Sequence, residues 1–332
     1  MGWQEFEQSL KTRARFFSRT AEELLTRVFR DIDSRKTHDG KPLVVNAGPG
    51  TLLNHLYRAR VFQAEDPLMD ALCYPDAQIG SPPSKLARAG RMNAQGISVF
   101  YGATKVDVAI AEVRPPVGSR VVAAKFDIMR HLRLLDLTAM DGVHEEGSIF
   151  DATFKERLHL AEFLRSLRWR MARPVMPDDE GIDYLPTQAV ADFLASANDP
   201  RLDGIIFPSV QVAEGYNVVL FHESARVAAA ALPKGTEVEA NVGHNSDDYN
   251  DAYYSVAEMV PPPIQPKEYD LEDDLIGHIL YCSPRPSIYD DNRQVALRLD
   301  FDSLEVHHVN WVKVSTEAHP VHRYRRERRP DF

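Results

Sequence analysis

Between residues 55 and 221 the chain carries six short apolar or alternating runs, and a helix pattern follows only some of them. The runs span 55–62, 97–102, 120–128, 132–137, 204–208 and 217–221, and turn signals bound them. Their length and pattern predict strands. Three segments of helical period lie among them, over 105–113, 153–173 and 184–197. In the first, Val106, Ala109, Ile110 and Val113 share a face and Pro115 closes it; the second ends before Pro174. A doubly wound parallel sheet needs a regular strand–helix–strand alternation. This order lacks it and predicts an α+β fold instead.

The flanks differ from this centre. Residues 3–35 read as one helix, with Phe17, Ala21, Leu24, Val28 and Ile32 on a stripe, stopped at His38-Asp39-Gly40-Lys41-Pro42. Such a helix cannot bury its own apolar face, so it needs a partner surface. After residue 226 the composition loosens. Asn245 to Asn250 is polar and acidic, Pro261-Pro262-Pro263 with Pro266 reads as extended linker, and Asp270, Glu272, Asp273 and Asp274 form an acidic cluster. Strand patterns return in Val295-Ala296-Leu297-Arg298-Leu299 and Val309-Asn310-Trp311-Val312-Lys313-Val314. The 332 residues thus divide into a helical arm (1–50), a central domain (51–226), an acidic Pro-rich linker (227–274) and a β-rich extension with a basic tail (275–332).

Composition narrows the function classes. With 44% hydrophobic and 27% charged residues, the chain is neither disordered throughout nor fibrous. Two cysteines, Cys73 and Cys282, cannot form a four-thiolate zinc site or a disulfide framework. No apolar run is long enough to span a bilayer, and Glu5 and Glu7 stand where a secretory signal would be apolar, so a cytoplasmic protein is expected. A net charge of −10 argues against a general nucleic-acid binder. The tail His322-Arg323-Tyr324-Arg325-Arg326-Glu327-Arg328-Arg329 runs against that balance, as a solvated end or as an anion contact. The histidines show no metal-binding spacing: His307 and His308 would face opposite sides of a strand, and no His-x-x-x-His occurs. No metal is expected. Neither a GxGxxG loop nor a Gly-x-Ser-x-Gly elbow is present, which disfavours a Rossmann dehydrogenase and a serine hydrolase.

Within the central domain, polar groups stand where local rules would not put them. Arg58 lies inside a strand. Arg91 and Asn93 lie in the loop Gly90-Arg91-Met92-Asn93-Ala94-Gln95-Gly96, and Tyr101 ends a strand. Glu112 sits in the last turn of a helix, where a carboxylate opposes the macrodipole. Ser209 follows a strand end, Gln211 follows it, and Asn217 opens the next strand. Local rules tend to fail at functional sites. Each residue also has an ordinary reading: Arg58 as a surface strand residue, Glu112 as a solvated helix residue, Ser209 as a turn residue, and the glycines as turn geometry.

Together these segments resemble the RES-domain family. The resemblance rests on Leu56-Tyr57-Arg58, the 90–96 loop, Val99-Phe100-Tyr101, Ala109-Ile110-Ala111-Glu112-Val113, Gly204-Ile205-Ile206-Phe207-Pro208-Ser209-Val210-Gln211 and Gly215-Tyr216-Asn217-Val218-Val219-Leu220-Phe221. It covers about residues 52–226, and the family's Arg, Glu and Ser would be Arg58, Glu112 and Ser209. It implies a fold like that of ADP-ribosyltransferases and a bacterial toxin that destroys NAD by phosphorolysis or hydrolysis. NAD is then a substrate, not a cofactor, and inorganic phosphate is the alternative co-substrate to water. It further implies a helix-turn-helix antitoxin as partner; a homo-oligomer is a further expectation, whereas membrane and nucleic-acid partners are not expected. Arg58, Glu112 and Ser209 would be catalytic, with Arg91, Asn93, Tyr101, Gln211 and Asn217 lining the NAD pocket. Transfer of ADP-ribose to a macromolecule and silent nucleotide binding are the competing functions. The flanks lie outside the family pattern, as an inhibitor, an assembly surface or a targeting module. The insert between Leu137 and Tyr184 is expected over the pocket mouth.

Overall fold

The computed structural model describes residues 3–14, 17–143, 145, 147–148, 150–151, 154–173, 175–244, 252–262 and 291–325. In chain order its elements are α1 (Trp3–Thr12), α2 (Arg19–Phe29), β1 (Val44–Ala47), β2 (His55–Phe62), α3 (Glu65–Cys73), α4 (Pro75–Gln78), β3 (Phe100–Ala103), α5 (Val106–Glu112), β4 (Arg120–Ile128) and β5 (Leu132–Asp136). There follow α6 (Phe154–Ala172), α7 (Glu180–Asp183), α8 (Leu185–Ser196), β6 (Gly204–Pro208), β7 (Tyr216–Leu220), β8 (Glu237–His244), β9 (Ala252–Met259) and β10 (Leu297–His308). The fold is α+β. Eight strands form one sheet in the order β1-β5-β6-β7-β3-β2-β4-β10. Among the described strands of this sheet, β5 and β6 alone pair parallel. A parallel pair needs a long crossover, and α6, α7 and α8 occupy it.

Strand alternation sorts the side chains onto two faces. Leu56, Phe100, Val122, Phe126, Leu134 and Val218 belong to one apolar cluster, which α3 covers with Leu68, Ala71 and Leu72. Their neighbours along the strands turn the other way and meet two separate helical layers. At the β1 end, Leu135, Ile205 and Val219 pack with α1, α2, α6 and α8. At the β4 end, Ala59, Ala103, Val121 and Ala123 pack with Val108 and Ala109 of α5. The gap between these two layers, over the central strands, is where a ligand can enter.

The N-terminal helix expected over 3–35 is two helices. Its predicted stripe fails at Phe17, which is 93% exposed, whereas Ala21, Leu24, Val28 and Ile32 are buried. Ser18 begins a new helix: its hydroxyl accepts from the Ala21 amide at 3.3 Å, a cap that the helical period conceals. The partner surface these helices need is the chain's own α6 and α8, and β1 adds an edge strand beside β5. The insert between Leu137 and Tyr184 supplies α6 to the same cluster, with Phe163, Leu164, Leu167 and Met171 buried. Among the described residues, none of the insert lines the cavity described below.

In the stretch read as linker, β8 and β9 pair antiparallel. The segments 245–251 and 263–290, with the acidic cluster at 270–274, lie outside the described residues. β10 joins the main sheet beside β4, with a bulge between Asp300 and Glu305. The predicted strand 309–314 does not form: no residue beyond His308 belongs to a strand among the described residues.

Candidate active site

A cavity of about 270 Å³ lies in the gap between the two helical layers. Its floor follows from register. Tyr57 and Ala59 of β2, Tyr101 and Ala103 of β3, Asn217 of β7 and Phe207 of β6 are alternate residues on one face, and all six line it. Ala109, Glu112 and Val113 of α5 form the opposite wall. By alternation Arg58 belongs to the other face. It nevertheless lines the cavity, because β2 and β3 share only the pair Tyr57–Ala103 and then diverge. In the opening its guanidinium donates to the Tyr101 carbonyl at 3.1 Å and lies 5.0 Å from the centre of the Phe100 ring.

Glu112 is the last residue of α5, held there against the helix dipole by two donors. Ser209 Oγ donates to its Oε1 at 2.6 Å and Asn217 Nδ2 to the same oxygen at 2.7 Å. Ser209 is itself oriented, since its oxygen accepts from the amides of Gln211 and Val212, both at 3.1 Å. Those two bonds direct the hydroxyl proton at the carboxylate. Oε2 receives no hydrogen bond from the described residues. α5 closes through Arg114, whose φ of 46° is the left-handed turn usually given to glycine at this position. With its amide oxygen turned to that side chain, Gln211 accepts from Arg114 Nη2 at 3.1 Å and Nε at 3.2 Å. This contact ties the Ser209 loop to the end of α5.

Arg58 has no carboxylate partner among the described residues. Burial, and to a smaller extent the neighbouring Arg60, lowers its pKa to about 10, so it remains a cation at neutral pH. A desolvated guanidinium without a counter-ion suits a planar, bidentate anion. Tyr101 is different. Its hydroxyl donates to Asn93 Oδ1 at 2.9 Å and accepts from the Met92 amide at 3.0 Å, and burial pushes its pKa up. Its oxygen is therefore used inside the protein, and the ring is what it offers the cavity.

The other sequence candidates lie elsewhere. Asn93 is buried, and its amide donates to the carbonyls of Arg88, Ala94 and Ile97. It braces the 88–97 loop against the Tyr101 hydroxyl of β3 and is not among the cavity-lining residues. Gly90 fits because a Cβ there would come within 2.6 Å of Asn93 Oδ1 and 2.8 Å of Tyr101 Oη; Gly96 has a φ of 86°. Arg91 donates to the Arg173 carbonyl at 2.5 Å, past the end of α6, and lies over Tyr184. It too is outside the lining, as are Ser209 and Gln211. Tyr57 and Phe207 line the cavity and were missed. The signal for Tyr57 was its place beside Arg58 with period-2 alternation to Ala59. Among the described residues, no group of three or more His, Cys, Asp or Glu could hold a metal ion.

A family model described as RES domain matches residues 55–242, more than half of the chain. This chain belongs to the RES-domain family. The RES match begins at β2, which carries Arg58, and runs through β7 into β8. It therefore holds every residue of the cavity, while α1, α2, β1 and β10 lie outside it. No curated protein and no solved structure gives a significant match. Among the described residues of this RES protein, no helix is long and apolar enough to cross a membrane.

Proposed function

We propose that this RES protein degrades NAD by cleaving the nicotinamide–ribose bond, with water or inorganic phosphate as nucleophile. The observation that carries this reading is the pairing, across one cavity, of a carboxylate held by a single oxygen with a guanidinium that has no carboxylate partner among the described residues. When the bond from C1″ of the ribose to nitrogen breaks, its electron pair goes to the pyridinium. Nicotinamide leaves neutral and needs no general acid. The ribose carbon becomes oxocarbenium-like, and the negative charge of Glu112 stabilises it. The nucleophile then forms a C1″–O bond. If it is water, the proton it loses goes to Oε2, the oxygen of Glu112 that Ser209 and Asn217 leave unoccupied.

Arg58 binds the pyrophosphate or the attacking phosphate, and the Tyr101 ring supports nicotinamide. Ser209 and Asn217 are positioning residues, since their hydrogen bonds go to Glu112. The cavity falls below the roughly 300–1,000 Å³ of pockets that enclose drug-sized ligands, so it takes the reacting half of the dinucleotide and leaves the adenosine half outside.

The test is incubation of the full chain with NAD, with and without inorganic phosphate, and identification of the products. Free ADP-ribose marks hydrolysis, and ADP-ribose-1″-phosphate marks phosphorolysis. ADP-ribose attached to protein or nucleic acid would replace this reading by a transferase. Binding without loss of NAD would replace it by a nucleotide sensor. Growth arrest with falling cellular NAD on expression would extend the reading to a toxin.

A further inference from the structure

Beyond Val309, residues 310–325 form an exposed arm. β10 is the edge strand of the sheet, and among the described residues its pairing partner within that sheet is β4. Val309 is still tied down, its amide donating to the Ser119 carbonyl at 3.0 Å and its carbonyl accepting from Gly118 at 2.8 Å. From 310 to 325 every residue is exposed and none is in a strand. Trp311, Val312, Val314, Val321 and Tyr324 are 74, 52, 75, 92 and 82% exposed. Large apolar side chains in this number on one solvated segment mark an interaction surface. The stretch Val309-Asn310-Trp311-Val312-Lys313-Val314 is rich in β-formers, yet among the described residues no backbone hydrogen bond pairs it beyond Val309.

Beside the base of the arm lies a groove of about 800 Å³, walled by Ile110 and Pro115 of the α5 region, by Val210 and by the arm's own Trp311, Val312 and Val314. The same patch therefore presents both a projecting indole and a hollow able to receive one. A surface that carries knob and hole together is self-complementary about a two-fold axis. Charge points the same way. Residues 310–332 hold six Lys or Arg against three carboxylates, in a chain whose net charge is −10, so the body is more acidic than the whole.

We propose that the chain forms a two-fold dimer through reciprocal exchange of these arms. The segments 310–314 of two copies pair antiparallel, which gives their N–H and C=O groups partners. Each Trp311 enters the partner's groove, and Lys313, Arg323 and Arg325 of each arm lie towards the partner's acidic body. Arm and groove together approach the roughly 20–30 residues per side of a stable interface.

The experiment is sedimentation or light scattering of the full chain and of Trp311→Glu and Val314→Glu, with circular dichroism to establish that each folds. The expected result is twice the 37.5 kDa chain mass for the wild type. Each variant is expected to raise the dimer Kd by at least roughly 30-fold, the scale of an interfacial hot spot. Both positions are exposed, so secondary structure is expected to be unchanged. A monomeric wild type overturns the proposal, and so does a dimer that both folded variants leave intact. A monomer that shifts on an RNA oligonucleotide would assign the arm to nucleic acid instead.

Discussion

Glu112 divides the work of its carboxylate. Oε1 is saturated by Ser209 and Asn217, and Oε2 is left to the cavity. Ser209→Ala removes one donor and strands the amides of Gln211 and Val212. We expect kcat for NAD loss to fall by about tenfold with KM nearly unchanged, because a bond to Glu112 is lost while contacts to the nucleotide are kept; steady-state kinetics checks this. Tyr101→Phe keeps the ring and removes an oxygen that serves Asn93 and Met92. It is expected to cost roughly 1–3 kcal/mol of stability, the penalty for a buried polar group left without its partner, read from urea unfolding. Glu112, Ser209 and Asn217 stood out in sequence because each breaks a local rule: a carboxylate against a dipole, a polar residue at a strand end. The surroundings of Arg91 and Asn93 did not. Arg91 is engaged by the carbonyl of Arg173, and Gln188 Nε2 donates to the carbonyls of Gly90 and Asn93 at 2.8 and 3.0 Å. Those partners come from elements some 80 to 100 residues away, and no local pattern reports them.

At the scale of elements, the strands were the legible part. β4 and β6 have the expected bounds, and β2 does too, because a run of apolar or alternating residues between turns has few other uses in a globular chain. Helix continuity was not legible. A 3.6-residue period persists through a cap, so α1 and α2 read as one helix until the Ser18 bond separates them. The pairing of β8 with β9 was concealed by acidic and proline-rich neighbours. α1 and α2 are bound into the core rather than set apart from it. Phe6 is fully buried, with its ring 5.2 Å from Trp3 and 6.2 Å from Phe163 of α6. Phe6→Ala is therefore expected to cost about 3–5 kcal/mol, as a core cavity does, with a matching shift in the unfolding midpoint. A change near zero would mean that these helices are an appendage.

For the whole molecule, the decisive arrangement is one sheet with two helical layers on the same face and a gap between them. Alternation along four central strands furnishes the floor of that gap, and the early divergence of β2 from β3 lets Arg58 enter it from the far side. Neither event is encoded locally; both depend on which strands become neighbours. Catalysis as proposed rests on the negative charge of Glu112 beside the ribose carbon. Its most direct test compares NAD loss by wild type with that by Glu112→Gln, a change that keeps shape and removes charge, with thermal unfolding and NAD binding measured on both. kcat is expected to fall by about 10²–10³, the scale of a preorganised electrostatic group, with folding intact and NAD binding within a few-fold. A folded Glu112→Gln protein that consumes NAD as fast as the wild type would contradict it.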